Sequence, residues 1–268
     1  MTSSAPLPVL VAVDGSESAT AAVRWAAGEA ARTAAPLRVI TVYSWPVMGF
    51  SESTDAGREL LGRLRAEAAR TVGAAARAAA EAEPGLVVSH AVRAGDPVEV
   101  LRDASADAAL LVLGSRGLGG VAALLLGSTA VAMVAHAHCP VVVVRGGVPT
   151  PRTGRVLAGL DGGPGDEAVL RFAFEHATAT GATVAAAHCW SDTFLDAAYA
   201  ADYASYDWGP LARRARDLVA GEVAPWRAKH PDVPVEQVVM RTSPTRLLLD
   251  QALDAELVVV GARGRGGF

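Results

Sequence analysis

Lysine is almost missing from this chain: among 24 basic residues only Lys229 is one. That excludes a Walker-type phosphate loop, which needs a lysine directly after its glycines. Cysteine is equally scarce, and Cys139 and Cys189 make no disulfide framework. No Asp or Glu stands between Leu118 and Leu160, so the string Gly117-Leu118-Gly119-Gly120-Val121-Ala122 lacks the carboxylate that a dinucleotide fingerprint places about twenty residues on. The run Leu113-Gly114-Ser115-Arg116-Gly117 falls one glycine short of a nucleophile elbow. The N-terminus lacks a basic segment followed by a long apolar one. A net charge of -4 argues against a nucleic-acid backbone or an anionic membrane as the main partner. A soluble cytoplasmic protein is the expectation.

What is present centres on Leu110 to Val144, where an apolar run, a glycine loop, a Gly-Ser-Thr and a second apolar run follow one another. Leu110 to Leu113 reads as a buried strand ending at Gly114. Gly114, Gly117, Gly119 and Gly120 let a ligand approach the backbone closely. Gly127, Ser128 and Thr129 then open a helix with bare N–H groups and hydroxyls at its tip. A strand, a glycine loop and a helix start suit an anion, because unpaired amides and the helix dipole both favour negative charge. Leu118 to Val144 is uncharged and long enough to suggest a membrane span. However, Gly127-Ser128-Thr129 and Pro140 divide it into pieces of globular length, and burial in a parallel sheet explains the apolar run.

Before this centre the chain alternates strands and helices. Pro8 to Val13 is a strand ending in Asp14-Gly15-Ser16, and Ser16 caps a helix with Ala19, Ala22, Val23, Ala26, Ala27 and Ala30 on one stripe. Leu37 to Tyr43 is a second strand, Ala56 to about Glu83 a long helix, and Val87 to Val92 a third strand. Asp96-Pro97 starts a further helix with proline at its first position, ending near Asp107. Such spacing gives parallel βαβ units, an α/β sheet with helices on both faces.

After the Gly, Pro and Thr-rich stretch 145–154 the pattern restarts. Asp161 repeats Asp14, and 161 minus 14 is 147. The same offset of 147 carries Pro97 to Pro244, Asp103 to Asp250, Gly114 to Gly261, Arg116 to Arg263 and Gly117 to Gly264. This is a tandem duplication, with domains at 1–147 and 148–268. At that offset Phe268 matches Val121, so a counterpart of Gly127-Ser128-Thr129, its helix and the Val141 to Val144 strand does not appear, and the expectation is a gene product longer than the chain. The second half also carries an acidic, aromatic segment between Trp190 and Leu211, read as a loop over the domain edge or a lid that takes a partner.

The spacing Gly114, two residues, Gly117, nine residues, Gly127-Ser128 resembles the nucleotide-binding signature of the universal stress protein family. The resemblance implies two tandem Rossmann-like domains, each a five-stranded parallel sheet of order 3-2-1-4-5, the second lacking its last helix and strand. It places an adenine nucleotide at the carboxyl ends of strands one and four. Ala12, Val13 and Asp14 would line adenine and ribose, Val42 would meet the adenine edge through its backbone, Gly114, Arg116 and Gly117 would border ribose and phosphate, and Gly127, Ser128 and Thr129 would hold the phosphates. The ligand implied is ATP, alone or with Mg2+, and the last strand implies a dimer or pairing between the tandem domains.

Asp161, Ala187, Gly261, Arg263 and Gly264 form a weaker second site. Asp14 either accepts from a ribose hydroxyl or simply begins a turn. His136, His138 and Cys139 do not complete a metal-ligand spacing, and His188 and Cys189 read as core. A regulatory stress-response protein that binds ATP without consuming it is the leading function. A slow ATPase, a hydrolase using Ser115 and a scaffold that binds no nucleotide are the alternatives.

Overall fold

The computed structural model describes residues 6–44, 54–115, 117, 126–145, 154–190 and 207–262. The chain forms two compact units, Met1–Val148 and Pro149–Phe268. Arg116, Arg263, Gly264, Gly119 and Gly120, together with most of the acidic aromatic segment, lie outside the described residues.

The first unit runs β1 (Val9–Ala12), α1 (Glu17–Arg32), β2 (Leu37–Tyr43), α2 (Asp55–Ala82), β3 (Val88–Ala94), α3 (Pro97–Ser105), β4 (Leu110–Gly114), α4 (Ser128–His136) and β5 (Val141–Val144). Its sheet is parallel with order β3-β2-β1-β4-β5. β1 and β4 are central, which is why both read as unbroken apolar runs rather than as alternating ones. On one face Leu10, Ile40, Leu111 and Leu113 pack with Leu101 of α3 and Met133 of α4. Alternation sends Val9, Val11, Val39 and Val112 to the other face, where α1 lies against β1 and β4.

Local chemistry sets the helix starts. Ser16 Oγ accepts from Ala19 N at 3.2 Å, Thr54 Oγ1 from Gly57 N at 3.1 Å, and Asp96 Oδ1 from Val98 N at 2.9 Å and Glu99 N at 3.2 Å. The stripe Ala68, Val72, Ala76 and Ala79 buries α2, and its exposed side carries the ion pairs Arg58–Asp55, Arg63–Glu59 and Arg70–Glu67. Such solvated pairs contribute under about 1 kcal/mol each. β3 runs two residues beyond the expected Val92, since Leu37 through Tyr43 of β2 pair residue for residue with Val88 through Ala94. Its length follows its partner strand, not its own apolar run.

The second unit runs β6 (Arg155–Leu160), α5 (Asp166–Thr180), β7 (Thr183–Cys189), α6 (Gly209–Lys229), β8 (Val235–Met240), α7 (Pro244–Ala252) and β9 (Leu257–Val259). Its described strands form a parallel sheet of order β8-β7-β6-β9. The duplication is visible in the register itself. Val9 pairs with Leu37 and with Leu110, and 147 residues on, Val156 pairs with Val184 and with Leu257. Phe174 is wholly buried at the centre of this core, stacked on Trp226 with ring centres 6.0 Å apart. At the ends of the acidic segment, Arg241 lies 3.7 Å over the Trp208 ring and 5.8 Å from that of Trp190.

Candidate functional site

The candidate site of the first unit lies at the carboxyl ends of β1 and β4, where the strand order reverses. β1 ends at Ala12, and Val13 continues it: Val13 N donates to Ile40 O at 2.9 Å, while Val13 O accepts from the buried Thr41 Oγ1 at 3.0 Å. Thr41 thus fixes the point at which the chain leaves the sheet. Asp14 follows, exposed, with Oδ1 accepting from Ser16 N at 3.0 Å. Gly15 has φ of +89°, the left-handed conformation that turns the chain into α1.

The glycines of β4 meet this turn at contact distance. A Cβ on Gly114 would stand 2.7 Å from the Ser18 carbonyl carbon and 2.8 Å from Ala19 N, so the first turn of α1 packs on bare backbone. A Cβ on Gly117 would stand 2.6 Å from Asp14 Oδ2. Ser115, almost fully buried, donates its N–H to Val144 O at 2.9 Å and accepts at its carbonyl from Gly127 N at 2.8 Å. That second bond brings the tip of α4 to the end of β4. Among the described residues no side chain caps α4, whose N-cap is Gly127, and Ser128 and Thr129 open its first turn. Ala12, Val13, Asp14, Gly114, Gly117, Gly127, Ser128 and Thr129 therefore gather at the carboxyl end of the sheet. Val42 sits near the end of β2, half-buried against the cluster that holds Leu10 and Ile40.

The second unit keeps this plan and changes its chemistry. Asp161 repeats the turn of Asp14, its Oδ1 accepting from Gly163 N at 2.8 Å, and Gly162 has φ of +73°. The carboxylate of Asp166, 3% exposed, closes the loop: Oδ1 accepts from Asp161 N at 3.1 Å and Oδ2 from Gly162 N at 2.7 Å. The 147 offset puts Ala19 at the position of Asp166, so the first unit has no such carboxylate. Beside the loop lies a cavity of about 180 Å3, with Leu160, Ala187, Leu247, Leu248 and Val260 among its walls. Asp161, Asp166, Gly261 and Cys189 complete its border.

Sequence reasoning missed Asp166 and Thr41; Cys189, read as core, packs half-buried against the cluster of Leu157, Ala185, Ala187 and Leu247 and also borders the cavity. The offset alone identifies Cys189 as the counterpart of Val42, since 42 plus 147 is 189. Burial pushes the Cys189 thiol above its ordinary pKa and that of Cys139 up to about 11, so both are protonated at neutral pH.

A doubly wound parallel sheet whose strand pairing recurs 147 residues along the chain defines a tandem pair of Rossmann-like α/β units. The chain belongs to the universal stress protein family, whose model matches residues 7–145 and 153–268. Universal stress protein Rv2005c of Mycobacterium tuberculosis is 35% identical over 273 residues, spanning 97% of this chain and 88% of that protein. A universal stress protein of Mycolicibacterium smegmatis is 36% identical over 269 residues, with the same 97% and 88% coverage. Among solved structures, a universal stress protein from Archaeoglobus fulgidus matches 97% of this chain and 86% of its own length, with TM-score 0.70 and 19% identity, a likeness of fold.

Proposed function

We propose that the first unit binds an adenine nucleotide, ATP in particular, alone or with Mg2+, and holds it as a regulatory ligand without consuming it. The observation that carries this reading is the tip of α4, whose N-cap Gly127 has no side chain, tied by Gly127 N to Ser115 O at 2.8 Å, at the carboxyl end of the sheet where Gly117 meets Asp14. The first-turn amides of α4 and the hydroxyls of Ser128 and Thr129 donate to phosphate oxygens, favoured by the helix dipole. Each charge-assisted hydrogen bond contributes roughly 1.5–3 kcal/mol. Three or four of them are enough for micromolar affinity, about 8 kcal/mol.

Asp14, exposed at the end of β1, accepts from a ribose hydroxyl. Ala12 and Val13 flank the base, the Val42 backbone meets its edge, and Gly117, bare of a side chain next to Asp14, leaves room for ribose and phosphate, while Gly114 lets the first turn of α1 pack against β4. The second unit, through Asp161, Ala187, Gly261, Arg263 and Gly264, binds nucleotide weakly or not at all. The reading includes a cytoplasmic location and self-association through β5, an edge strand of four valines. Among the described residues no helix is long and apolar enough to cross a membrane.

The experiment is direct. The purified chain is denatured and the released nucleotide identified by chromatography, and a second sample is incubated with ATP while phosphate is followed. Retained or titratable ATP without turnover is the expected result. Steady phosphate release indicates an ATPase, and absence of any titratable nucleotide overturns the assignment.

A further inference from the structure

The two units differ by one rung at the ends of their first strands. In the first, the pairing of β1 with β2 stops at Ala12 opposite Ile40. In the second, the pairing of β6 with β7 continues to Leu160 opposite His188, the counterparts of Val13 and Thr41 at the 147 offset. In a parallel ladder a residue bonds the two residues that flank its partner. Val13 N donates to Ile40 O at 2.9 Å, so the rung that would follow runs from Val42 N to Val13 O. Its equivalent, from Cys189 N to Leu160 O, belongs to the ladder of the second unit. The ladder of the first unit ends before it.

The Val13 carbonyl is taken by a side chain instead. Thr41, 5% exposed, donates from Oγ1 to Val13 O at 3.0 Å. His188 makes the same approach in the second unit, with Nδ1 2.9 Å from Leu160 O, and because a carbonyl only accepts, Nδ1 carries the proton. Reach separates the two donors. The threonine oxygen is bonded directly to Cβ, whereas the imidazole nitrogen lies one bond further out and meets a carbonyl that stays in the ladder.

We propose that Thr41 is a positioning residue for the first unit's nucleotide site: it draws the Val13 carbonyl out of the ladder and so leaves the N–H of Val42 for the edge of the base. The proposal rests on reading that unit as an adenine-nucleotide site in which the Val42 backbone meets the base. Val42 is turned the right way. On the β3 side of β2, Leu37 N donates to Val87 O at 2.9 Å and Tyr43 O accepts from Gly95 N at 3.1 Å, so strand alternation turns the main chain of Val42 toward β1. β1 ends at Ala12, and the space beyond its end is the candidate site. The Val13 carbonyl and the Asp14 N–H share one planar peptide, so the same bond also sets how the chain enters the Asp14 turn. In the second unit the equivalent N–H, that of Cys189, is engaged within the sheet, in keeping with weak or absent nucleotide binding there.

The test uses the full chain, isotope-labelled, with amide hydrogen exchange followed by NMR at fixed pH in the absence of nucleotide. The Val42 amide is expected to exchange at least about tenfold faster than that of Cys189. In Thr41→Val, which keeps the side-chain shape and removes the donor, Val42 exchange is expected to slow about tenfold and ATP affinity by calorimetric titration to fall about tenfold. Thr41→His, which copies the second unit, is expected to move both in the same direction. Thr41→Ser, which keeps the hydroxyl, is expected to hold both near wild type, and this separates the donor from the packing of the side chain.

Equal exchange of Val42 and Cys189 in the wild-type chain overturns the proposal. So does a folded Thr41→Val in which exchange and affinity both match wild type, or in which only one of them changes, since the bond acts on the ligand through Val42. The exchange pattern needs no nucleotide. A wild-type chain that gives no ATP heat yet shows the expected exchange in all three variants sinks the proposed function alone and leaves the hold of Thr41 on the ladder standing.

Discussion

Gly114 is intolerant of a side chain, whereas at Gly117 one is accommodated only if Asp14 moves. The missing Cβ of Gly117 would stand 2.6 Å from a carboxylate oxygen of Asp14, a group proposed to touch the ligand. That of Gly114 would strike main-chain atoms of Ser18 and Ala19, which belong to the packing of α1. Gly117→Val is therefore expected to weaken ATP binding at least tenfold, about 1.4 kcal/mol, while circular dichroism and the urea midpoint stay near wild type. Calorimetric titration checks it, and unchanged affinity would remove the loop from the site. The sequence shows both glycines equally. Which one guards the ligand and which one the helix is set by what stands opposite each, and that is not written in their neighbours.

Elements divide in the same way. Helix starts are local events, so Asp96-Pro97 announces α3 in the sequence, and in the structure Asp96 Oδ1 takes the N–H groups of Val98 and Glu99 at 2.9 and 3.2 Å. Asp96→Ala is expected to cost about 1 kcal/mol of stability, read as a lower urea midpoint at unchanged slope. A change in slope instead would mean that the compactness of a state, and not the cap alone, had altered. Strand ends are not local. β3 extends to Ala94 because β2 offers it partners as far as Tyr43. Asp166 shows the same limit at the head of α5: an acidic residue in a first helical turn is unremarkable as sequence, yet its carboxylate turns back onto the loop before the helix.

At the scale of the molecule, duplication gives two cores that the described residues fill separately. Phe174, with no exposed surface, anchors the second among Leu170, Val184 and Val219. Phe174→Ala is expected to destabilise that unit by about 3–5 kcal/mol. The first unit should retain its ligand response, a gain of roughly 2.7 kcal/mol with ATP at a hundred times its dissociation constant. Denaturation of the full chain with and without ATP measures both. Loss of the ATP response in this variant would show that the cores are not energetically separate.

The sequence by itself determined the strand–helix alternation, the repeat at 147 residues, the helix caps and the glycine-lined bend, because each depends on neighbours in the chain or on a periodicity the chain displays. Tertiary structure alone decided that Thr41 holds the end of β1, that Gly117 abuts Asp14, and that the second loop is filled by Asp166. These depend on distances across the sheet and around a turn, where a difference of one ångström separates a hydrogen bond from no contact. No pattern of residue types along a chain encodes that distance.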